Sequence, residues 1–390
     1  MRQLYSTAIS VYGLLIYVSS FFNQKAKLWV DGRKNWAKKL EDVSGDVIWI
    51  HCASLGEYEQ GKPILEQLKQ KHPYKKILLS FFSPSGYELQ KNNPLAEWVI
   101  YLPLDKVSNA KKFINLTKPS LAIFVKYEFW ANYILELKQQ NIPTYVVSAI
   151  FRENHFLFKP YAKWYLRVVT NITHFFVQNE TSKQLLSKYG INQTTVSGDS
   201  RFDRVQEIAQ ANETDSIIAQ FKGEQHLMVC GSVWSKDMDY INAMIIQFPT
   251  IKFLIAPHEL SYVEQLKKLG GLYTEQEHDK QVMILDTMGM LSSAYRYADI
   301  SYIGGGFGKG IHNTLEAAVY GCPIIFGPNY TKFNEAKELI NLKTAISIND
   351  CNAFEKAISS FLNKTFDGKA SVDYCKDNCG SAKKVIDNII

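Results

Sequence analysis

The sequence predicts an α/β protein of two doubly wound, Rossmann-like domains, with a membrane-associated helix at the N-terminus. Three observations carry this expectation. Apolar runs of strand length alternate with helical segments in both halves of the chain, as parallel sheets with crossover helices require. The alternation pauses once, over the polar stretch 204–225, and the 390 residues are enough for two cores of ordinary size. The expected division is an anchor helix at 1–24, an N-terminal domain at 25–203, a linker at 204–225 and a C-terminal domain at 226–390, whose last helix can pack back on the N-terminal domain.

From Gln3 to Gln24 no residue is charged, and Ala8 to Phe22 is strongly apolar. That is just long enough for one membrane span, with Tyr5, Tyr17, Phe21 and Phe22 placed as interfacial aromatics. A buried helix or one lying on the membrane surface is the alternative. A cleaved signal peptide fits less well, because only Arg2 precedes the run and no small-residue cleavage site follows. Lys25, Lys27, Arg33, Lys34, Lys38 and Lys39 come next, and by the positive-inside rule they keep the remainder cytoplasmic. The net charge of +6 is too small to argue for a nucleic-acid partner, but it suits a surface facing anionic lipid or a phosphorylated substrate. The six cysteines are scattered, as in a reduced cytoplasmic protein, and Cys375 with Cys379 lacks the further ligands of a metal site.

The first strand is expected at Asp46–Cys52, running into Ala53-Ser54-Leu55-Gly56-Glu57 and then a helix with Ile64, Leu65 and Leu68 on one face. Such a loop lies at the carboxyl edge of a parallel sheet, where open α/β folds bind ligands. Ser54 and Gly56 permit close approach, and Glu57 points into whatever the loop surrounds, although a lone Glu at a helix start also complements the helix dipole. Further strands are expected at Lys76–Phe82, Trp98–Leu102, Leu121–Val125, Thr144–Ser148, His174–Gln178 and Thr195–Ser197. Lys126 and Arg201 stand at two of these strand ends as cations for an anionic substrate, with Arg152 and Lys159 as weaker versions.

In the second half, strands are expected at His226–Gly231, Lys252–Ala256, Val282–Leu285, Ile300–Ile303, Pro323–Phe326 and Ala345–Ile348. The stretch from Gly304 to Pro328 reads as strand, glycine loop, a short helix over Asn313–Tyr320, and strand. Glycines let backbone pass close to a ligand, and the first N–H groups of a helix favour negative charge, so the loop suits a phosphate. Two readings of Glu316 are open. Asn313 and Glu316 have capping-box spacing, so Glu316 can serve its own helix; alternatively its carboxylate accepts from ribose hydroxyls. No G-x-G-x-x-G or P-loop register fits, which leaves a nucleotide-sugar site. Asp237-Met238-Asp239 spells a metal-chelating D-x-D, but it enters a helix instead of ending a strand.

Several of these segments, taken in order, resemble one family. They are the apolar N-terminus with Gly32-Arg33-Lys34, then His51 to Glu57, Glu128-Phe129-Trp130-Ala131-Asn132, and Gln178-Asn179-Glu180. After them come Ser197-Gly198 with Arg201-Phe202-Asp203, Asp286-Thr287-Met288-Gly289, and His312-Asn313 ahead of Leu315-Glu316-Ala317-Ala318. The combination is similar to the membrane-associated 3-deoxy-D-manno-octulosonic acid (Kdo) transferases of lipopolysaccharide biosynthesis, GT-B glycosyltransferases whose two domains face a central cleft.

The resemblance implies transfer of Kdo from CMP-Kdo to a lipid A precursor, with inversion and release of CMP, at the cytoplasmic face of the inner membrane and with no metal or other cofactor. It casts Glu57 as general base and Arg201 as the cation that stabilises developing charge. It puts CMP against Pro257, His258, Met288, Gly289, Met290, Asn313, Thr314, Leu315 and Glu316, and the acceptor near Ser54 and Gly56. Lys126 departs from it: the family commonly has a Glu there, so the charge is reversed. His258 likewise replaces an Arg, and Thr314 a Pro. Two rivals stand beside this reading: a GT-B enzyme or epimerase that uses a UDP-sugar, and a catalytically inactive membrane-attached binding protein, for which Lys126 is the best argument.

Overall fold

The computed structural model describes residues 1–211, 214–363 and 367–389. Positions 212 and 213 of the expected linker, and 364–366 and 390 of the expected C-terminal domain, lie outside the described residues. The chain divides into two compact units, Met1–Arg204 together with Gly380–Ile390, and Val205–Cys379.

The first unit is built on seven parallel strands: β1 (Val47–Cys52), β2 (Lys76–Phe81), β3 (Trp98–Tyr101), β4 (Leu121–Val125), β5 (Thr144–Ala149), β6 (His174–Val177) and β7 (Thr194–Val196). Their order is β3-β2-β1-β4-β5-β6-β7, which reverses direction between β1 and β4. Every residue of β1 and β4 is buried, so these strands read as unbroken apolar runs with both sheet faces covered. Trp49 anchors one face, its ring centroid 4.7 Å from Phe113 and 5.1 Å from Phe124.

The second unit repeats the plan with β8 (Leu227–Val233), β9 (Lys252–Pro257), β10 (Gly271–Leu272), β11 (Val282–Ile284), β12 (Ile300–Ile303), β13 (Ile324–Phe326) and β14 (Ala345–Ser347). The order β10-β11-β9-β8-β12-β13-β14 reverses between β8 and β12. All the strands lie where the sequence predicts them, to within two residues, except β10. With only two residues, β10 leaves no periodicity to read.

Two expectations need correction. No helix among the described residues is long and apolar enough to cross a membrane. The N-terminal helix runs Arg2–Ser19 and is fastened to the first unit by its polar residues: Tyr5 Oη donates to Asp105 at 2.7 Å and Arg2 Nε to Asn132 at 2.9 Å. Second, Arg33 is not a surface cation. Its guanidinium donates to the carbonyls of Leu102, Trp29 and Phe82 and lies 3.7 Å from the centroid of the Trp29 ring, and burial pushes its pKa down to about 9. The polar stretch 204–225, expected to be helical or loop-like, is largely helical. The helices Ser200–Gln210 and Ser216–Lys222 occupy it, and Ile218 and Phe221 of the latter are buried.

The C-terminal helix Ser381–Ile389 packs Ala382, Val385 and Ile386 against Ile64, Leu65 and Leu68 of the first unit. Asp203 accepts from the N–H groups of Gly380 (2.6 Å) and Ala382 (3.2 Å), so it caps that helix and fixes its place.

Candidate active site

In the first unit the predicted residues gather where the strand order reverses, the position at which open α/β sheets leave a crevice. β1 and β4 pair with His51 opposite Phe124, so the segments leaving their carboxyl ends run side by side. Ser54 is the N-cap of the helix Leu55–Lys71, and Glu57 stands in its first turn. The Ser54 hydroxyl donates to the Glu57 carboxylate. From the end of β4 comes Lys126, its ammonium 3.9 Å from Glu57 Oε1, with 25% and 21% of the two side chains exposed. Lys126 has φ +65, a left-handed conformation that costs a non-glycine residue on the order of 1 kcal/mol. The reversed charge therefore sits in an ion pair with the proposed base.

Arg201 belongs to the same unit although β7 is an edge strand. Its neighbour Ser200 donates to the Gln60 carbonyl at 2.6 Å, which brings this part of the chain onto the Glu57 helix. The Arg201 guanidinium makes two bonds to Asp199, at 2.9 and 2.6 Å, an oriented pairing that the sequence did not signal. Gly56 is exposed, and a side chain added there would meet only Ser54 Oγ, at 3.9 Å. His51, by contrast, is wholly buried: its Nδ1 lies 2.9 Å from Ser80 Oγ, and its Nε2 accepts from Trp130 Nε1 at 3.0 Å. Trp130 Nε1 also donates to Glu128 at 3.0 Å. Much of the motif around Glu57 and Glu128 thus serves to hold the crevice floor.

The second unit places its predicted residues at the carboxyl ends of β8, β9, β11 and β12. The glycine loop follows β12, and Gly304 passes so close to β8 that a Cβ there would lie 2.3 Å from the Ser232 carbonyl. Asp237 ties the two loops together, accepting from Trp234 N (2.8 Å), Gly305 N (2.9 Å) and Tyr302 Oη (2.8 Å). Buried and so engaged, it organises protein backbone, not a metal. The N–H groups of Gly304, Gly305, Gly308, Gly310 and His312 are all spent on protein acceptors. That narrows what the loop's backbone can offer a phosphate.

The helix expected over Asn313–Tyr320 is a single turn, Leu315–Ala318, because the chain leaves helical geometry near Gly321, at φ +72. Its dipole is correspondingly small. Asn313 Oδ1 accepts from Leu315 N at 3.2 Å, and Asn313 Nδ2 donates to Glu316 at 3.1 Å. Asn313 is thus the capping side chain, and Glu316 bonds to that cap's amide. Thr314 and Leu315 are wholly buried, backbone included. In the loop after β11, Met288 is 53% exposed and Gly289 takes φ +86 with open space around it. His258 follows Pro257, the last residue of β9, and stacks on Trp234 with centroids 4.3 Å apart. Trp234 sits in the loop after β8, one of the strand-end loops that the sequence suggests for a pocket, but no pattern in the sequence singles it out.

Two parallel-sheet Rossmann-like units, each with loops at its strand-order reversal, make an architecture that resembles the GT-B glycosyltransferases. A structure of UDP-GlcNAc 2-epimerase from Neisseria meningitidis bound to UDP-GlcNAc has a similar fold, with TM-score 0.60 over 88% of this chain and 99% of that one at 14% identity. Residues 29–204 match the family described as 3-deoxy-D-manno-octulosonic-acid transferase (kdotransferase). The 3-deoxy-D-manno-octulosonic acid transferase of Haemophilus influenzae is 26% identical over 371 residues, 87% of this chain and 86% of that protein. The one of Aquifex aeolicus is 26% identical over 319 residues, 79% and 83% of the two chains. Over most of its length the chain is thus similar to the Kdo transferases.

Proposed function

We propose that the protein transfers Kdo from CMP-Kdo to a lipid A precursor, inverting the anomeric centre and releasing CMP. The observation that carries the mechanism is the Ser54–Glu57–Lys126 cluster at the β1/β4 reversal. In the reaction an acceptor hydroxyl attacks the anomeric carbon of Kdo, Glu57 takes the hydroxyl proton, and the bond from that carbon to the CMP phosphate oxygen breaks. The Ser54 hydroxyl orients the carboxylate for proton abstraction. Lys126 and Arg201 supply positive charge toward the anionic substrates, and their partners Glu57 and Asp199 fix where that charge stands. Pro257, His258, Met288, Gly289, Met290 and the Asn313–Glu316 segment form the CMP side. No metal enters this scheme.

The acceptor is a lipid, and the N-terminal helix supports a place at the cytoplasmic face of the inner membrane. Leu4, Val11, Leu15 and Val18 recur at helical spacing and are between 51% and 66% exposed, and Phe22, in the turn after the helix, is 89% exposed. An apolar stripe of this kind, followed by the exposed Lys25 and Lys27, suits a helix lying in the bilayer interface. The test is purified protein with CMP-Kdo and a tetra-acylated lipid A precursor, with the products identified by mass spectrometry. A product heavier by one or more Kdo units supports the proposal; CMP-Kdo left intact, or turnover of a UDP-sugar instead, refutes it.

A further inference from the structure

Trp234 is fixed more firmly than an exposed tryptophan needs to be. Its Nε1 donates to His312 Nε2 at 3.0 Å. One ring face stacks on His258 (4.3 Å, 21° between planes), and the His312 ring runs nearly parallel to it at 6.3 Å and 15°. Yet 42% of Trp234 remains exposed, beside a cavity of about 280 Å³ whose lining includes Ser235, His258, Glu259, Ser261 and Gln265. An indole locked in place and left open is a stacking platform prepared before a ligand arrives. Because the Trp234 N–H occupies His312 Nε2, and because burial and the neighbouring His258 push the His312 pKa down to about 4, His312 is neutral at neutral pH. That part of the wall suits the face of a planar ring better than a phosphate.

The rim of the cavity adds selectivity. A carboxylate accepts well from the exocyclic amine of cytosine, whereas uracil presents a carbonyl oxygen at that position, and acceptor would face acceptor. Glu259 supplies the carboxylate, with Ser261 Oγ 3.5 Å from its Oε2. We infer that the Trp234–His258 stack receives the cytosine ring of the donor nucleotide and that Glu259 selects cytosine over uracil. This rests on the donor reading above and adds which residues read the base.

The test is calorimetric titration of the full chain with CMP and with UMP, for the wild type and for Trp234→Ala, Trp234→Phe and Glu259→Gln. Of the seven tryptophans only Trp234 lies in the unit Val205–Cys379, so the fluorescence lost in Trp234→Phe reports on this site alone. The wild type is expected to bind CMP roughly tenfold tighter than UMP. Trp234→Ala should weaken CMP by about ten- to a hundredfold while Trp234→Phe keeps most of the affinity. Glu259→Gln should bring the CMP-to-UMP ratio toward one, and CMP should quench wild-type fluorescence but not that of Trp234→Phe. CMP bound equally well by the wild type, Trp234→Ala and Glu259→Gln overturns the inference and leaves the transferase reading intact. A wild type that binds no CMP overturns both. If Trp234→Ala does not fold, the exposed-site variant Glu259→Gln and the ring-keeping Trp234→Phe still decide the matter.

Discussion

Each unit buries one aspartate that accepts from a tyrosine hydroxyl and two backbone N–H groups, but the two carboxylates hold different things. Asp105 takes Tyr5 Oη, Asn132 N and Tyr133 N, at 2.7, 3.1 and 3.1 Å. Asp237 takes Tyr302 Oη, Trp234 N and Gly305 N, at 2.8, 2.8 and 2.9 Å. In the first unit the carboxylate fastens an added helix, and the reactive edge is left to side chains such as Glu57 and Lys126. In the second it fastens the ligand loops themselves, so that edge is made of backbone and ring faces. A substitution at the first unit's edge should therefore change chemistry and spare the fold, whereas one at the second unit's edge should change both together.

The largest expected effect tests the first half of that statement. Glu57→Gln keeps the size and the Ser54 contact but removes the base, so transfer should fall by about 10²- to 10⁴-fold in a CMP-release assay. Thermal stability and CMP affinity should stay at wild-type values. A variant that keeps its transfer rate would remove Glu57 from the chemistry. The second half is tested by Asp237→Ala, which orphans three donors at once, two of them in buried bonds. It should cost on the order of 3 kcal/mol in urea unfolding and lose CMP binding in parallel. Lost stability with CMP affinity retained would show that the glycine loop does not shape the nucleotide site.

The same contrast explains what could be read from the chain alone. The strands were legible because buried parallel strands are continuous apolar runs, and because each reversal of strand order falls where a polar or glycine-rich loop follows such a run. Glu57 and Lys126 were legible as strand-end charges, but their pairing was not. It depends on β1 and β4 being neighbours, and 69 residues separate the two side chains. The glycine loop was legible as a close approach of backbone, but not in what it approaches: Gly304 meets β8. Arg33 and Asn132, which carry part of the family resemblance, proved to be fasteners whose partners no local pattern reveals. Trp234 was obscured for a similar reason, since a lone aromatic after a strand gives no sign that two histidines from other loops will stack with it.

A smaller effect sharpens the account of the first edge. Lys126→Ala removes the cation beside Glu57 while leaving the carboxylate and its Ser54 bond in place. With both side chains partly exposed, solvent screening leaves about 1 kcal/mol of interaction, so activity should fall by roughly fivefold. Lys126→Glu should fall further, because two carboxylates would then face each other across the crevice. An unchanged rate in Lys126→Ala would show that the ion pair is only structural.

The smallest effect concerns the helix that Asp105 holds. Burial pushes the Asp105 carboxyl up to about 6 from an ordinary 3.8, and the Tyr5 hydrogen bond opposes that rise. The folded state thus binds the proton more readily than the unfolded one. Stability from this group is complete below pH 3.8 and is lost as pH rises through about 6, by about 3 kcal/mol at most. Tyr5→Phe removes a bond that favours the ionised form, so it should cost about 1 kcal/mol at pH 7 and less at pH 4, and should move the decline to higher pH. Urea melts across pH 4 to 8 check this. A cost independent of pH would mean that the tyrosine packs against the unit through its ring, which lies 5.6 Å from that of Trp164, and that its hydroxyl does not govern the carboxylate. The N-terminal helix would then be held by apolar contact, and the likeness between Asp105 and Asp237 would be one of geometry alone.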